Sequence, residues 1–181
     1  SLNPTLLTLS GSQGERAGAA LARLGDVDGD GREDFAYGAP GGLGAVRVVS
    51  GWHGDELLAV SGAEADAEFG DALAAVGDID GDGVTDLLAG APRSDAGGAD
   101  AGEVRLLSGA SGGVLWTVAG FPGEQLGASV AGVGDVDLDG LPDVAVGAPR
   151  ADLPAKDAGA ARLLDGATGA QLLAWTGDAK G

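Results

Sequence analysis

Three ten-residue stretches share one register of aspartate and glycine, and this repetition restricts the fold more tightly than any other feature. Residues 25–34 read Gly-Asp-Val-Asp-Gly-Asp-Gly-Arg-Glu-Asp, residues 77–86 read Gly-Asp-Ile-Asp-Gly-Asp-Gly-Val-Thr-Asp, and residues 134–143 read Gly-Asp-Val-Asp-Leu-Asp-Gly-Leu-Pro-Asp. Each leads into an apolar run closed by Gly-Ala-Pro, at 38–40, 90–92 and 147–149. A glycine stands eight residues ahead of each first aspartate, at Gly18, Gly70 and Gly127. The copies lie 52 and then 57 residues apart, and the extra length falls after Gly-Ala-Pro, where the chain is expected to be an exposed, tolerant loop. A period of this size marks a repeat architecture.

Each copy divides into four short strand candidates. In the second they are Asp71 to Val76, Leu87 to Gly90, Val104 to Leu107 and Val114 to Val118, the last two joined by a Ser-Gly-Ala-Ser-Gly turn. The first copy offers Val46 to Val49 and Leu57 to Val60 in the later places, and the third Ala161 to Leu164 and Leu172 to Trp175. Glycine-rich turns between leucine or valine runs read as hairpins. Alanine favours helix, but glycine every few residues opposes it, and no stretch carries a capped helical period. The fold class is therefore all-β. A four-stranded sheet cannot bury both faces alone, whereas stacked sheets can, so the copies read as β-propeller blades. The division is blade 1 at 15–66, blade 2 at 67–123 and blade 3 at 124–181, within one repeat domain. Residues 1–14 are left over, and their Leu-Leu-Thr-Leu-Ser-Gly run at 6–11 resembles a surplus last strand. Small residues such as Ala19, Ala20, Ala22, Ala74, Ala75 and Ala131 suit crowded positions near an axis, while Trp116 and Trp175 suit packing between blades further out.

Composition settles what the repeat does not. The chain of 181 residues has 28 acids against 10 bases, a formal charge of −18, 36 glycines and no cysteine. Such acidity repels phosphate backbones and anionic membranes, which argues against nucleic-acid partners. No apolar run approaches a bilayer span, so no membrane insertion is expected. Without cysteine there is neither a disulfide framework nor a thiolate metal site. High glycine and charge point towards disorder, but a hydrophobic content of 44% provides for a core.

Within each loop, counted from its first aspartate, positions one, three, five and nine are all aspartate. These are Asp26, Asp28, Asp30 and Asp34; Asp78, Asp80, Asp82 and Asp86; and Asp135, Asp137, Asp139 and Asp143. Alternating carboxylates on a tight loop bring hard oxygen ligands together, and their mutual repulsion calls for a cation. Calcium accepts six to eight oxygens in flexible geometry, with the main-chain carbonyl at position seven (Arg32, Val84, Leu141) completing the set. Three Ca2+ sites are expected. Ordinary Asp-Gly turns do not need four acids in one register three times over. An EF-hand needs an acid at position twelve and a helix after it, but Tyr37, Ala89 and Val146 stand there.

Phe69-Gly70, the aspartate loop and Gly90-Ala91-Pro92 together resemble the FG-GAP repeat of integrin α-subunit β-propellers and their bacterial relatives. The phenylalanine position is Ala17 in the first copy and Leu126 in the third, and loop position four is Leu138 in the third. The resemblance implies loops that bind calcium and stabilise one face of the propeller, with partners usually held on the other. Three blades are too few to close a ring, since roughly four to eight are typical. Either more repeats or a second copy joined head to tail, giving six blades, is needed. The functional expectation is a non-enzymatic, extracellular or cell-surface scaffold for protein or carbohydrate binding and adhesion, with structural calcium. The competing classes are a propeller enzyme acting on polysaccharide and an architectural fragment or engineered repeat without a ligand. His53 sits in a Gly-Trp-His-Gly turn, read as surface, and Glu64, Asp66 and Glu68 are read as a solvated run. Trp52, Trp116 and Trp175 are expected to serve packing rather than a sugar platform.

Overall fold

A computed structural model describes residues 8–152 and 155–177, and among these residues there are twelve strands and no helix. The first copy forms β1 (Leu21–Gly25), β2 (Asp34–Ala39), β3 (Ala45–Val49) and β4 (Glu56–Ser61). The second forms β5 (Ala72–Gly77), β6 (Asp86–Ala91), β7 (Glu103–Leu107) and β8 (Val114–Ala119). The third forms β9 (Ser129–Gly134), β10 (Asp143–Ala148), β11 (Ala160–Leu164) and β12 (Gln171–Thr176). Each set is one antiparallel sheet in chain order, so every copy is a four-stranded blade. The aspartate loops join the first two strands of each blade, as the sequence requires.

Register is conserved to the bulge. The first pair of strands slips at Arg23/Gly25 in blade 1, Ala75/Gly77 in blade 2 and Asp143/Val144 in blade 3, always where the aspartate loop leaves the sheet. The third and fourth strands slip at Val48/Val49, Leu106/Leu107 and Leu163/Leu164. A bulge at a fixed place bends the strand and increases its twist, which re-aims the loop identically each time.

The core lies between blades. One cluster joins Ala22, Leu24, Ala36, Val46 and Val48 of blade 1 to Phe69, Leu87, Ala89 and Leu107 of blade 2. The other joins Val76, Leu88, Val104 and Leu106 of blade 2 to Leu126, Val144, Val146 and Leu164 of blade 3. Neighbours such as Leu87 and Leu88 point to opposite faces of one sheet, so blade 2 contributes to both layers. Burial of these side chains at about 25 cal/mol per Å² is what holds consecutive blades together. The inner strands abut, β1 beside β5 and β5 beside β9, and small residues such as Ala22 and Ala74 lie there as expected.

The signature glycines are contact points for backbone. Gly18, Gly70 and Gly127 donate their N–H groups to the carbonyls of Gly38, Gly90 and Gly147 within their own blades, at 2.8, 2.9 and 2.9 Å. Across the junctions, a Cβ on Gly38 would overlap the carbonyl oxygen of Gly70, and one on Gly90 that of Gly127. The residues before Gly70 and Gly127 then plug into the preceding blade. Phe69 lies against Gly44 and Gly62 of blade 1, and Leu126 against Gly102 and Gly120 of blade 2.

Some expectations are revised. The long loop after Gly-Ala-Pro in blade 2 is mostly exposed, but Ser94 and Ala101 in it are buried, and Ser94 Oγ and Asp95 N–H both donate to Glu64. Glu64 and Glu68 are thus not a free solvated run, for Glu68 also pairs with Arg16 at 3.1 Å and Arg93 at 3.2 Å. Ala19 and Ala20 fall just before β1 rather than in a strand. In the surplus strand proposed for 6–11, Thr8 to Gly11 have no strand structure, while Leu6 and Leu7 lie outside the described residues.

Gly90→Ala should destabilise the chain by about 3 kcal/mol or more in urea unfolding, because carbonyl and Cβ cannot share the junction. Gly29→Ala, at φ 79° but facing open space, should cost only about 1 kcal/mol.

Candidate metal centres

The first aspartate of each loop winds the loop about itself. Asp26 accepts the N–H groups of Gly29 at 2.8 Å, Asp30 at 3.0 Å and Gly31 at 2.8 Å. Asp78 repeats this with Gly81, Asp82 and Gly83 at 2.7, 3.1 and 2.9 Å, and Asp135 with Leu138 and Gly140 at 2.7 and 3.0 Å. Side-chain oxygens taking nearby backbone donors are the reason aspartate suits such turns.

Position nine has a different task. Asp34, Asp86 and Asp143 are at most 1% exposed. One oxygen of each accepts an N–H from the start of its loop, from Val27 at 2.8 Å, Ile79 at 2.7 Å and Val136 at 2.8 Å. The other accepts an N–H from the distant hairpin, from Gly51 at 2.9 Å, Gly109 at 2.9 Å and Gly166 at 3.1 Å. A single carboxylate thereby fastens the loop between the first two strands to the hairpin between the last two.

Around it the acids converge. Asp26, Asp28 and Asp34 offer oxygens within 4.8 Å of one another, and so do Asp78, Asp80 and Asp86, and Asp135, Asp137 and Asp143. The position-five acids Asp30 and Asp82 stand outside these groups and accept the N–H groups of Arg32 and Val84, each at 2.8 Å. In the third loop Asp139 accepts the N–H of Leu141 at 2.8 Å and also forms a fourth group with Asp137 and Asp165. Asp165 escaped the sequence reading, although the signal is there: its column holds Ser50 and Ser108 in the other copies. Burial pushes the Asp86 carboxyl above the usual aspartate range, opposed by the N–H groups of Gly109 and Ile79. Asp137 is also raised, by desolvation first and then by the charges of Asp139, Asp143 and Asp165, against the N–H of Asp139. An oxygen-only set of carboxylates, one of them buried in each loop, fits a hard divalent cation.

The loops are not identical in surroundings. Leu138 holds φ 68° at a position where Gly29 and Gly81 take 79°, and its side chain is exposed. Beside the first loop the Arg32 guanidinium lies 3.5 Å over the exposed Trp52 ring, and His53 meets that ring edge-on at 5.9 Å. The other hairpins carry Ala110 and Ala167 at the Trp52 position. Trp116 packs between blades as expected, donating its indole N–H to the Gly166 carbonyl at 2.7 Å. Trp52 and Trp175 are instead exposed.

The FG-GAP repeat model matches residues 17–49, 69–107 and 126–164, well over half of the chain. The chain is 37% identical over 139 residues to integrin alpha-V of Gallus gallus, covering 70% of this chain and 13% of that protein. It is 37% identical over 139 residues to integrin alpha-PS2 of Drosophila melanogaster, covering 69% and 10%. It is 34% identical over 145 residues to human integrin alpha-IIb, covering 68% and 14%. It thus spans only a small part of these relatives. Among solved structures, Bacillus licheniformis rhamnogalacturonan lyase PL11 superposes with a TM-score of 0.53 at 16% identity, covering 88% of this chain and 34% of that one. Rhamnogalacturonan lyase YesW does so with 0.53 at 15% identity and the same coverage. At such identities the likeness concerns the fold alone.

Three outcomes follow from this geometry. Asp86→Ala should destabilise even the metal-free chain by about 2–4 kcal/mol, since buried N–H groups of two elements lose their acceptor. Leu138→Gly should stabilise it by about 0.5–1 kcal/mol through relief of the left-handed backbone. Because the folded chain holds protons on Asp86 and Asp137 more tightly than the unfolded chain, their contribution favours folding in acid and is lost as pH rises through the raised values. In chelator, thermal melting should therefore show this loss with rising pH, and Asp137→Asn should flatten it.

Proposed function

Because the chain belongs to the FG-GAP repeat family, we propose that it is a non-enzymatic, calcium-stabilised β-propeller scaffold that serves protein or carbohydrate binding and adhesion outside the cell. The observation that carries this reading is the convergence of three carboxylates within 4.8 Å at the same place in each of three blades. Calcium is the cation whose flexible, oxygen-rich coordination suits them. Its ligands would be the carboxylates of Asp26, Asp28, Asp30 and Asp34, of Asp78, Asp80, Asp82 and Asp86, and of Asp135, Asp137, Asp139 and Asp143, with the carbonyls of Arg32, Val84 and Leu141.

The metal's part is structural. It would neutralise a loop that already anchors two connections of its blade, and three ions would bring the formal charge from −18 to about −12. Exposed loops of this kind suit the millimolar calcium outside cells better than resting cytosol. The blades follow the division 15–66, 67–123 and 124–181, and ring closure draws on further blades, from more repeats or another chain. Trp52 with Arg32 is the surface feature closest in chemistry to a ligand platform. No specific observation favours polysaccharide chemistry, since the likeness to the lyases concerns blades only.

Calorimetric titration with calcium should give about three binding events per chain, and calcium should raise the melting temperature by at least several degrees in a way that chelator reverses. Asp28→Asn, Asp80→Asn and Asp137→Asn together should abolish that response. An unchanged melting temperature with and without calcium would overturn the reading.

A further inference from the structure

The hairpin of blade 1 carries an aromatic pair that the other hairpins lack. Trp52 is 54% exposed, and Ala110 and Ala167 stand in its place in blades 2 and 3. Arg32, which lies over it, holds loop position seven, where the other copies have Val84 and Leu141. The guanidinium carbon is 3.5 Å from the centre of the indole ring, and His53 meets the same ring edge-on at 5.9 Å. This opening does not depend on what adjoins blade 1. In blades 2 and 3 the preceding sheet is in place and Gly109 and Gly166 are buried, yet Ala110 and Ala167 are exposed, as are Ser111 and Thr168 at the His53 position.

The hydrogen bonds of the blade hold the pair in position. Arg32 stands two residues before the anchoring Asp34, and Trp52 one residue after Gly51, whose N–H that carboxylate accepts at 2.9 Å. The N–H of Arg32 is itself held by Asp30 at 2.8 Å. On the hairpin, Gly54 donates to the Ser50 carbonyl and Ser50 to that of Asp55, both at 2.9 Å. The bond that fastens loop to hairpin thus also brings guanidinium and indole together, which leaves little freedom to lose on binding.

Arg32 makes no ion pair among the described residues, although acids flank it. Its neighbour Glu33 gives both oxygens to Arg23, at 2.8 and 2.6 Å. A guanidinium stacked on an aromatic face keeps its N–H donors in its own plane, where their edge matches a carboxylate bidentately. The rest of the indole offers a flat apolar surface for the C–H face of a sugar ring. The surroundings favour a saccharide over a protein partner. Asp30, Gly31, Glu33, Gly51, Gly54 and Asp55 flank the pair and give no apolar rim, whereas a protein anchor is enclosed by contacts that exclude water.

We propose that Trp52, Arg32 and His53 form a binding site for an acidic saccharide, with a uronate ring stacked on the indole, its carboxylate held by the edge of the guanidinium and a ring hydroxyl by His53. The inference names a ligand class for the scaffold reading above and rests on that reading. The acids of the loop repel such a ligand until they are neutralised, so the test is made in calcium buffer.

The full chain is titrated calorimetrically with tetrasaccharides of galacturonate and of alternating glucuronate and N-acetylglucosamine, each beside its carboxyl-reduced form. At least one acidic tetrasaccharide should bind, and its reduced form about tenfold more weakly. Trp52→Ala should weaken the acidic probe by about tenfold. Arg32→Gln should do the same while leaving affinity for the reduced form unchanged. Trp52→Ala should keep the calcium-dependent melting of the parent, so that lost sugar binding is distinguished from lost fold. A chain that melts higher with calcium but binds neither saccharide overturns the site and leaves the scaffold reading standing. Equal affinity for acidic and reduced forms, binding indifferent to Trp52→Ala, or a tetra-aspartate peptide that binds as tightly with the same dependence on Trp52 would also overturn the proposal.

Discussion

Everything in a blade is arranged about one buried carboxylate. Asp34, Asp86 and Asp143 each sit where the aspartate loop returns to the sheet, and each uses both oxygens on backbone donors from different connections. A buried charge is costly unless hydrogen bonds satisfy it. Here the satisfaction does the folding, because the donors are brought together only when all four strands are in register. The outer acids of the loop then gather on the solvent side of that anchor, which concentrates negative charge at a point the fold cannot spread out. The crowding of carboxylates at that point is thus a consequence of how the sheet is fastened.

The strands were legible because the chain punctuates them. Asp-Gly loops, Gly-Ala-Pro turns and short apolar runs leave few other readings, and the bounds found for β5 to β8 lie within a residue or so of those read from the second copy. The anchoring half of position nine was not legible. Its second partner lies 17 residues on in blade 1 and 23 in blades 2 and 3, and a ligand sequence does not announce a backbone donor at that distance. The exposure of Trp175 was misread for a related reason. Residue type suggests packing between blades, but Trp175 is exposed, and what stands beside the sheet is not a property of the tryptophan.

The arginines in the third strands were overlooked because charge in a strand reads as solvent-facing. Arg162 is in fact buried and holds Glu124 at 2.6 Å, and Arg47 holds Glu15 at 2.7 Å. Both glutamates lie two residues before the plug positions Leu126 and Ala17. The arginine therefore fixes the segment that enters the blade, while the plug fixes that segment to the blade before. Blade 2 departs from this arrangement: Ala67 stands in the glutamate's place, and Arg105 lies 5.1 Å over the Phe69 ring and pairs with Glu103.

The two apolar layers also give the blades unequal standing. Blade 2 belongs to both layers, whereas blades 1 and 3 each belong to one. Stability in stacked repeats is close to a sum over neighbours, so the middle unit acts as a keystone. A nick or a cavity at either end would fray one unit and leave a packed pair behind. The same lesion in the middle would leave two sheets with nothing to lean on, and tolerance to mutation should follow position along the stack as much as burial at the site.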